Sequence, residues 1–487
     1  MRMTKKILII GSGPSALSAC IRLLREENIQ IYLLDGKDLL NIENSGCIYS
    51  LIHEGSQSRY KKLFKNNLDN SFKTTYKNAP KPSLQFGGYS TVWGGAINIL
   101  EKEYEEYWSV LKKDINSLIP NFENIMEISS NSDKYLHYQT QELPIVEREK
   151  KLLGRLKKIN NQKLSSDFSS IAMSTRIDTN ICQECGEYIW SCRPYSAWSS
   201  NSLIKKLIET EKIIYLKNTS IYKIEENFTD GTCIVYTGKH KKYELEFNKV
   251  FVGAGAIGSS KIVLNSFEDI SKIEIQTNDL ISIPLINLSK KDKKLHTFTD
   301  LYIKYKDNKS NLFSQYYGYS ENLLKLSENA IPLVKYIKNL LKPILRYSGG
   351  IFLYLDQNNS SSFVIEKEMG NLVIKGGRNP KKRNLLPSIF SFFLILLRAR
   401  IICLPFGKWR KYGTSNHFGA QFSFSNEKIK HNKLNIASDS QGRIKKMKNV
   451  HFIDSSVLPV LAPGPITFIV MLNAYRITEE AINETKI

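Results

Sequence analysis

A glycine-rich segment near the N-terminus has the residue types and the spacing of a nucleotide-binding turn. The apolar run Lys6–Ile10 predicts a buried parallel strand, and Gly11, Gly13 and Ala16 follow it at once. Gly11 allows a tight turn, and Gly13 lets a pyrophosphate approach the backbone. Ala16 lets the next helix pack close to the sheet. The spacing therefore predicts a phosphate site at this turn.

The residues after this turn complete the pattern. A helix starting near Pro14 and Ser15 would present free backbone amides and its positive dipole end to phosphates. A second strand, Ile31–Leu34, ends at Asp35, whose carboxylate can accept ribose hydroxyls. Strand, turn, helix, strand and acid in this order favour nucleotide binding over an ordinary βαβ turn.

Three further blocks combine glycine-rich turns with strand and helix patterns: residues 84–100, 249–266 and 448–480. In the first block, GGYSTVWGGA lets the backbone pass close to a flat ligand that Trp93 can cover; the alternative is a loop with a core tryptophan. The second block predicts the strand Val250–Val252, a turn and a helix. In the third, an extended segment ends at Asp454, and a helix starts near Thr467. We expect all four blocks to form one discontinuous domain.

The middle of the chain has a different composition and a different pattern of predicted elements. Residues 101–180 are polar and predict helices with long loops, and residues 295–376 hold strand-like runs around a predicted helix near 320–346. We predict an α/β fold: a Rossmann-type domain with a parallel sheet, and an inserted α+β substrate domain with a mostly antiparallel sheet. The predicted boundaries are 1–125, 195–292 and 440–487 for the first domain, and 126–194 and 293–439 for the second.

Composition limits the function classes. The chain has 487 residues, enough for two domains, with 42% hydrophobic and 24% charged residues, which indicates a globular protein. A net charge of +22 favours an anionic partner, such as an acidic membrane or a phosphorylated substrate, or reflects a general richness in lysine. The chain shows no homeodomain, zinc-finger or RNP motif, so we predict no nucleic-acid binding.

The N-terminal residues and the cysteines indicate the cellular compartment of the protein. The first apolar run ends in the glycine turn and is shorter than a signal-peptide core, so we expect a cytoplasmic protein. The seven cysteines are unevenly spaced and do not indicate a disulfide framework. Cys182, Cys185 and Cys192 could bind zinc or an iron–sulfur cluster, or be reduced structural thiols. Because no fourth ligand is evident, we predict no metal site.

The order of the four glycine-rich blocks resembles the glucose-methanol-choline (GMC) family of flavin oxidoreductases. The resemblance covers N-terminal, central and C-terminal parts of the chain and implies FAD as the cofactor. It implies that GGYSTVWGGA lies beside the flavin, that Asp35 holds the adenosine ribose, and that backbone near Ile221 meets the adenine. The residues it assigns to FAD are Gly11, Gly13, Pro14, Ser15, Ala16, Asp35, Gly88, Trp93, Gly94, Gly95, Ile221, Ala254, Gly255, Asp454, Gly464 and Pro465.

The chemistry of that family is alcohol oxidation, in which a base removes the hydroxyl proton while hydride passes to the flavin. His417, in SNHFGAQFSFS, matches the C-terminal catalytic histidine of the family; a structural histidine is the alternative. The family's second histidine or asparagine precedes the proline of the final loop, and here Gly464 stands at that position. Another side chain, such as Tyr89 or Gln421, could supply the second contact.

The resemblance implies an FAD-dependent dehydrogenase or oxidase of a hydroxyl group. We expect a small alcohol as substrate, preferably a sugar or sugar-like alcohol, with phosphorylated and lipid-linked forms included. The electron acceptor stays open among oxygen, quinone and a protein carrier. One alternative is a flavin-dependent reductase or isomerase, favoured by Gly464. The other is a non-catalytic, membrane-associated nucleotide-binding protein.

One apolar segment is flanked by basic residues, within residues 381–411. Its core, Leu385–Leu397, has 13 residues. As a helix it would be about 20 Å long, shorter than the ~30 Å hydrocarbon slab. We therefore expect it not to cross a membrane. It suits either peripheral contact with an anionic membrane at its inner face or a buried helix of the substrate domain.

Overall fold

A computed structural model gives the fold. It describes residues 4–36, 68–91, 93–98, 112–126, 128–129, 147–159, 161–172, 198–217, 219–237, 243–289, 298–319, 343, 347–381, 383, 385–405, 407–424, 436–445 and 447–484. Cys182, Cys185, Cys192 and nearly all of the helix predicted near 320–346 lie outside these residues.

The helices among these residues are α1 Pro14–Leu23, α2 Lys112–Ile125, α3 Glu147–Lys158, α4 Ser200–Glu209, α5 Gly255–Ser266, α6 Leu386–Arg398 and α7 Thr467–Asn483. The strands are β1 Lys5–Ile10, β2 Ile29–Leu34, β3 Phe72–Thr74, β4 Ala96–Ile97, β5 Ile128–Ser129, β6 Leu164–Phe168, β7 Ser170–Ala172, β8 Ile214–Leu216, β9 Ile221–Glu226, β10 Cys233–Thr237, β11 Tyr243–Phe247, β12 Lys249–Val252, β13 Lys272–Thr277, β14 Leu280–Asn287, β15 Leu301–Lys306, β16 Asn311–Gly318, β17 Ser348–Leu355, β18 Ser362–Glu368, β19 Asn371–Gly376, β20 Ile401–Cys403, β21 Lys408–Arg410, β22 Phe418–Gly419 and β23 Val450–Phe452.

A parallel sheet with the strand order β23-β12-β1-β2-β8 forms one layer of the protein. The apolar runs of β1 and β12 are buried, as expected for central strands that are covered on both faces. Helices α1 and α7 pack against each other beside this sheet. The sheet collects strands from three of the glycine-rich blocks, so the carboxyl ends of β1, β12 and β23 meet at one edge.

Antiparallel sheets form the second part of the fold. One has the order β20-β14-β17-β16-β15-β6, with β21 also pairing to β14. Another has the order β22-β13-β18-β19-β3 and is antiparallel except for the pairing of β19 with β3. Together with the parallel sheet they confirm the predicted α/β class with a mostly antiparallel second region. The domain boundaries stay a prediction; β14, placed in the first domain from sequence, pairs within the larger antiparallel sheet.

The larger antiparallel sheet has two different faces, because side chains alternate along each strand. On one face, Leu312, Tyr316 and Leu353 are buried against helices α3 and α6. On the other face, the alternate residues point away from that core. These are Phe313, Gln315 and Tyr317 on β16, and Phe352 and Tyr354 on β17. This second face is therefore available to form the wall of a site.

A buried histidine and a buried lysine lie side by side in the parallel sheet. His451 Nδ1 donates to the carbonyl of Gln441 at 3.0 Å, so Nε2 is the acceptor facing Lys249 Nζ at 3.3 Å. Burial, and then the charge of Lys249, holds the pKa of His451 well below its usual value. Burial also lowers the pKa of Lys249 to about 8. His451 is therefore neutral in the folded protein near pH 7.

This pair predicts acid sensitivity of the fold. As pH falls below about 6.5 the unfolded chain binds a proton on His451 that the folded chain excludes, so the free energy of unfolding decreases. Replacing His451 with glutamine keeps a hydrogen-bonding side chain and removes the titration. We expect the slope of unfolding free energy against pH, measured by urea denaturation between pH 6.5 and 5, to fall by up to about 1.4 kcal/mol per pH unit. An unchanged slope in His451→Gln would contradict this account.

Candidate active site and cofactor cleft

A cavity of about 1170 Å³ lies at the carboxyl edge of the parallel sheet. Its volume exceeds the ~300–1,000 Å³ of ordinary small-molecule sites, so it has room for a large cofactor and a substrate. Glycine turns and Asp35 line one part, and His417 with the aromatic face of the antiparallel sheet lines another. This is where parallel α/β sheets bind nucleotides.

The first turn shows two different reasons for glycine. Gly11 has φ +97°, and a Cβ there would lie 2.4 Å from the carbonyl oxygen of Gly253. The two turns therefore touch through bare backbone. Gly13 lines the cavity, and a Cβ there would meet nothing within 4 Å. Its open space is the approach to the N-terminus of α1, where Pro14 and Ser15 also line the cavity.

Hydrogen bonds join the first glycine block to the second. The Ser12 hydroxyl donates to the Asp35 carboxylate and accepts the N–H of Gly87 at 2.7 Å. The N–H of Gly36 donates to the other carboxylate oxygen at 2.6 Å. Ser200 adds a bond from its hydroxyl to the carbonyl of Ser12 at 2.8 Å. Asp35 is thus fixed at the end of β2, beside the cavity, where a ribose hydroxyl can reach it.

The second block contributes an open backbone and a fixed tryptophan. Gly88 has φ +56° and lines the cavity, as does Gly94, where a Cβ would meet nothing within 4 Å. Trp93 Nε1 donates to the carbonyl of Trp198 at 2.8 Å, which sets the position of the indole in the cavity wall. A flat ligand can therefore pass along this loop beside the ring.

The third and fourth blocks meet at Asp454. Ser259, on α5, donates to the Asp454 carboxylate at 2.5 Å, and the N–H of Ser456 donates at 2.9 Å. Burial raises the pKa of Asp454 despite these bonds. Ala254 and Gly255 open α5 at the cavity, and Gly255 has φ +73°. The N-termini of α1 and α5 thus both reach the cavity.

Most of the residues assigned to FAD from sequence line this one cavity. Those that do are Gly11, Gly13, Pro14, Ser15, Asp35, Gly88, Trp93, Gly94, Ile221, Ala254, Gly255, Asp454 and Pro465. Three do not line it. Ala16, on α1, is wholly buried, the carbonyl of Gly95 accepts the N–H of Ala172 at 2.8 Å, and Gly464 packs against Phe313.

His417 lies at the end of the cavity next to the antiparallel sheet. Its ring stacks on Tyr354 with a centroid distance of 4.7 Å and an angle of 13°. Among the described residues, Nδ1 has no hydrogen-bond partner. Burial lowers the pKa of His417 to about 4, although contact with the backbone of Gly464 opposes this change. At neutral pH the imidazole is therefore uncharged and can accept a proton.

Asn278 fixes the backbone around His417. Its N–H donates to the carbonyl of His417 at 3.0 Å, and its own carbonyl accepts the hydroxyl of Ser415 at 2.7 Å. Its side-chain amide donates to the carbonyls of Leu355 and Leu461 at 3.0 and 3.3 Å. Asn278 lies between β13 and β14, so it ties the His417 loop and the final loop to both antiparallel sheets.

No second side chain can stand at Gly464. This residue has φ +102°, and a Cβ would lie 2.7 Å from the ring of Phe313. Of the two proposed substitutes, Gln421 donates to the carbonyl of Ala256 at 2.7 Å and does not line the cavity. Tyr89 lines the cavity, but its hydroxyl donates to the carbonyl of Lys81 at 2.6 Å. Among the described residues of the cavity wall, His417 is therefore the group best placed to act as a base.

The sequence reasoning missed the wall opposite the glycine turns. Tyr317 and Tyr354 donate from their hydroxyls to Gln315 Oε1 at 3.2 and 3.4 Å, which orients that amide in the cavity. Phe352 and Arg410 also line the cavity. The alternation of β16 could have identified one face of that strand, but not which face meets the cofactor region.

The described residues bear on some of the other sites considered from sequence, while Cys182, Cys185 and Cys192 lie outside them. Within the described ranges, no group of three or more His, Cys, Asp or Glu could hold a metal ion. Burial raises the pKa of the Cys20 and Cys233 thiols to about 12, so both are unreactive at neutral pH. No helix in the same ranges is long and apolar enough to cross a membrane.

The arrangement fits FAD. The glycines at positions 13 and 94 leave space that a Cβ would fill, the N-termini of two helices offer amides for the pyrophosphate, and Asp35 offers a carboxylate for ribose. Trp93 lines the same cavity, which has room for a flat ring system.

The comparison with solved structures supports the fold. No family model matches the sequence, and no curated protein matches it. Among solved structures, the fold matches the crystal structure of pyridoxine 4-oxidase from Mesorbium loti with a TM-score of 0.60. The match covers 98% of this chain and 99% of that chain at 11% sequence identity. At this identity the likeness shows a shared α/β fold.

Two glycine variants distinguish an effect on the stability of the fold from an effect on FAD binding. Gly11→Ala places a methyl group against the carbonyl of Gly253 at a positive φ, so we expect a loss of more than ~1 kcal/mol of stability without cofactor. Gly13→Ala meets open space, so we expect unchanged stability of the apoprotein and a Kd for FAD raised about tenfold or more.

Thermal unfolding of the apoproteins and titration with FAD measure the two effects. Full FAD affinity in a folded Gly13→Ala variant would show that the pyrophosphate does not lie at this turn.

Proposed function

We propose that the protein is an FAD-dependent oxidoreductase that oxidises a hydroxyl group of a small molecule. The observation that carries this proposal is the cavity, which both the glycine turns suited to a dinucleotide and a neutral histidine line. The structural neighbour named an oxidase supports the same class of reaction.

The chain's own residues hold the cofactor in this proposal. Amides at the N-termini of α1 and α5 bind the pyrophosphate, and Asp35 accepts hydrogen bonds from the adenosine ribose. Trp93 and the loop around Gly94 cover the ring system. FAD, when bound, supplies the acceptor for a hydride from the substrate carbon.

His417 acts as the base. Its low pKa keeps the imidazole unprotonated at neutral pH, so it can take the hydroxyl proton as the carbon is oxidised. Stacking on Tyr354 and the backbone bond from Asn278 hold the ring and its loop in position. Because Phe313 occupies the space beside Gly464, the base works without a second imidazole there.

The opposite wall favours a polar, anionic substrate. Gln315, Tyr317 and Tyr354 provide amide and hydroxyl groups beside aromatic surfaces, which suits a sugar or sugar-like alcohol.

Arg410 on β21 lies directly opposite Leu280 on β14, so the two side chains point to the same face of the sheet. Because Leu280 packs with Phe313 and Tyr354, that face is the one that meets the cavity. Within the described residues Arg410 has no ion pair, so a phosphate of the substrate can bind it. A lipid-linked sugar phosphate carries the same group.

The base assignment predicts a large kinetic defect. His417→Gln retains a polar side chain of similar size but cannot act as a base, so we expect the rate of anaerobic flavin reduction by substrate to fall by about 10²–10⁴-fold. FAD content, measured by absorbance, should stay at the wild-type level because His417 does not hold the cofactor.

The pH dependence provides a second test of the same base. In the wild-type protein the rate should stay level from pH 8 to 6 and fall only as His417 is protonated near its pKa of about 4. Turnover of a substrate without net flavin reduction would instead favour a reductase or isomerase.

The substrate assignment predicts a charge-dependent effect at Arg410. With a panel of sugars and their phosphates, Arg410→Gln should raise KM for phosphorylated substrates by about tenfold or more, and leave the neutral sugars unchanged. Lys408→Gln is the matched control: it removes the same charge from the same strand, but Lys408 does not line the cavity. An equal effect on neutral and phosphorylated substrates would overturn the anionic class while leaving the base assignment intact.

A further inference from the structure

Helix α6 exposes a continuous apolar stripe. Leu386, Phe390, Leu394 and Leu397 are 58%, 63%, 46% and 51% exposed, and their spacing places them on one side of the helix. The other side of α6, around Phe392, is buried against the larger antiparallel sheet. The helix is therefore anchored on one face and uncovered on the other. Exposed apolar surface of this extent marks an interaction site.

The apolar surface continues beyond the end of the helix. Leu288 is 52% exposed, and its N–H donates to the carbonyl of Arg400 at 2.9 Å, two residues after α6 ends. Tyr347 is 37% exposed, and its carbonyl accepts the N–H of Asn287 at 2.7 Å. Backbone bonds thus bring exposed apolar residues of two further segments to the C-terminal end of α6. We call the exposed apolar residues Leu386, Phe390, Leu394, Leu397, Leu288 and Tyr347 together the α6 face.

The segment of the chain that carries α6 has charges of one sign, while Asp307 of the neighbouring sheet contacts Ser388 near the start of the helix. Residues 369–426 contain ten lysines and arginines and no aspartate or glutamate. Lys381 and Arg383 lie exposed just before α6, where the helix dipole disfavours cations, so helix stability does not explain them. Arg398 and Arg400 are exposed at the other end. None of these four has an ion pair among the described residues.

A third cation reinforces the cluster at the C-terminal end. Arg155 donates to the hydroxyl of Ser289, the residue after Leu288. Burial, and then the charge of Arg400, lowers the pKa of Arg155. The protein therefore holds like charges together beside the α6 face, an arrangement that an anionic surface would stabilise.

We propose that the α6 face binds the surface of an anionic phospholipid bilayer, a property beyond the proposed redox function. A helix of 13 residues is about 20 Å long, so it lies along the interface, with its apolar side chains in the acyl boundary and cations at the headgroups. Self-association fits less well, since two copies meeting face to face would bring the cations at the ends of α6 close to those of the second copy.

The test measures sedimentation of the full-length holoprotein with vesicles of phosphatidylcholine alone or mixed with phosphatidylglycerol. We expect binding to the mixed vesicles only, weakened by added salt. Phe390→Glu should weaken it by about tenfold or more, because it puts a charge in the centre of the α6 face. Phe228→Glu is the matched control: Phe228 is 72% exposed between β9 and β10, so the same change there should leave binding within about twofold.

Three results would overturn the proposal. One is no binding to the mixed vesicles, and another is binding that Phe390→Glu leaves unchanged. The third is a dimer in light scattering that Phe390→Glu dissociates without any vesicle binding, which would assign the α6 face to a second copy of the chain. Circular dichroism and FAD content of both variants check that each is folded.

Discussion

The site depends on the close approach of two backbone turns at the edge of the parallel sheet. Gly11 and Gly253 touch with no side chain between them, because a Cβ at Gly11 would overlap the carbonyl of Gly253. This contact brings β1 and β12 together at their carboxyl ends and leaves the N-termini of α1 and α5 facing the same cavity. A larger residue at Gly11 would push the turns apart and displace the N-termini of both helices at the cavity.

A second constraint joins this edge of the parallel sheet to the loop that carries His417. Asn278 forms hydrogen bonds to the backbone of His417 and to the loop at Leu461. The next residue, Asp279, accepts hydrogen bonds from the side chains of Thr277, Ser361 and Trp409. These buried polar groups lie where the two antiparallel sheets meet. The connection between the sheets thus positions His417, the proposed base. Asp279 also holds β21, which carries Arg410, through its bond from Trp409.

The glycine turns could be predicted from sequence because each is a local pattern in which strand, turn and helix adjoin. Thirteen of the sixteen residues assigned to FAD line the cavity for that reason. The exceptions follow from packing: Ala16 serves the contact between helix and sheet, and Gly464 makes room for the ring of Phe313. Local pattern could not place Phe313, Tyr354 or Arg410 beside His417, since that requires pairings between distant strands. It also left open whether α6 is buried or interfacial, and the structure shows one buried face and one exposed face.

Binding of FAD to the cleft is the claim on which the redox assignment depends, and the visible absorbance spectrum of the purified protein tests it most directly. The account predicts a yellow protein with stoichiometric FAD, or a colourless apoprotein that takes up stoichiometric FAD when it is added. A folded protein that is colourless and takes up no added FAD would contradict it.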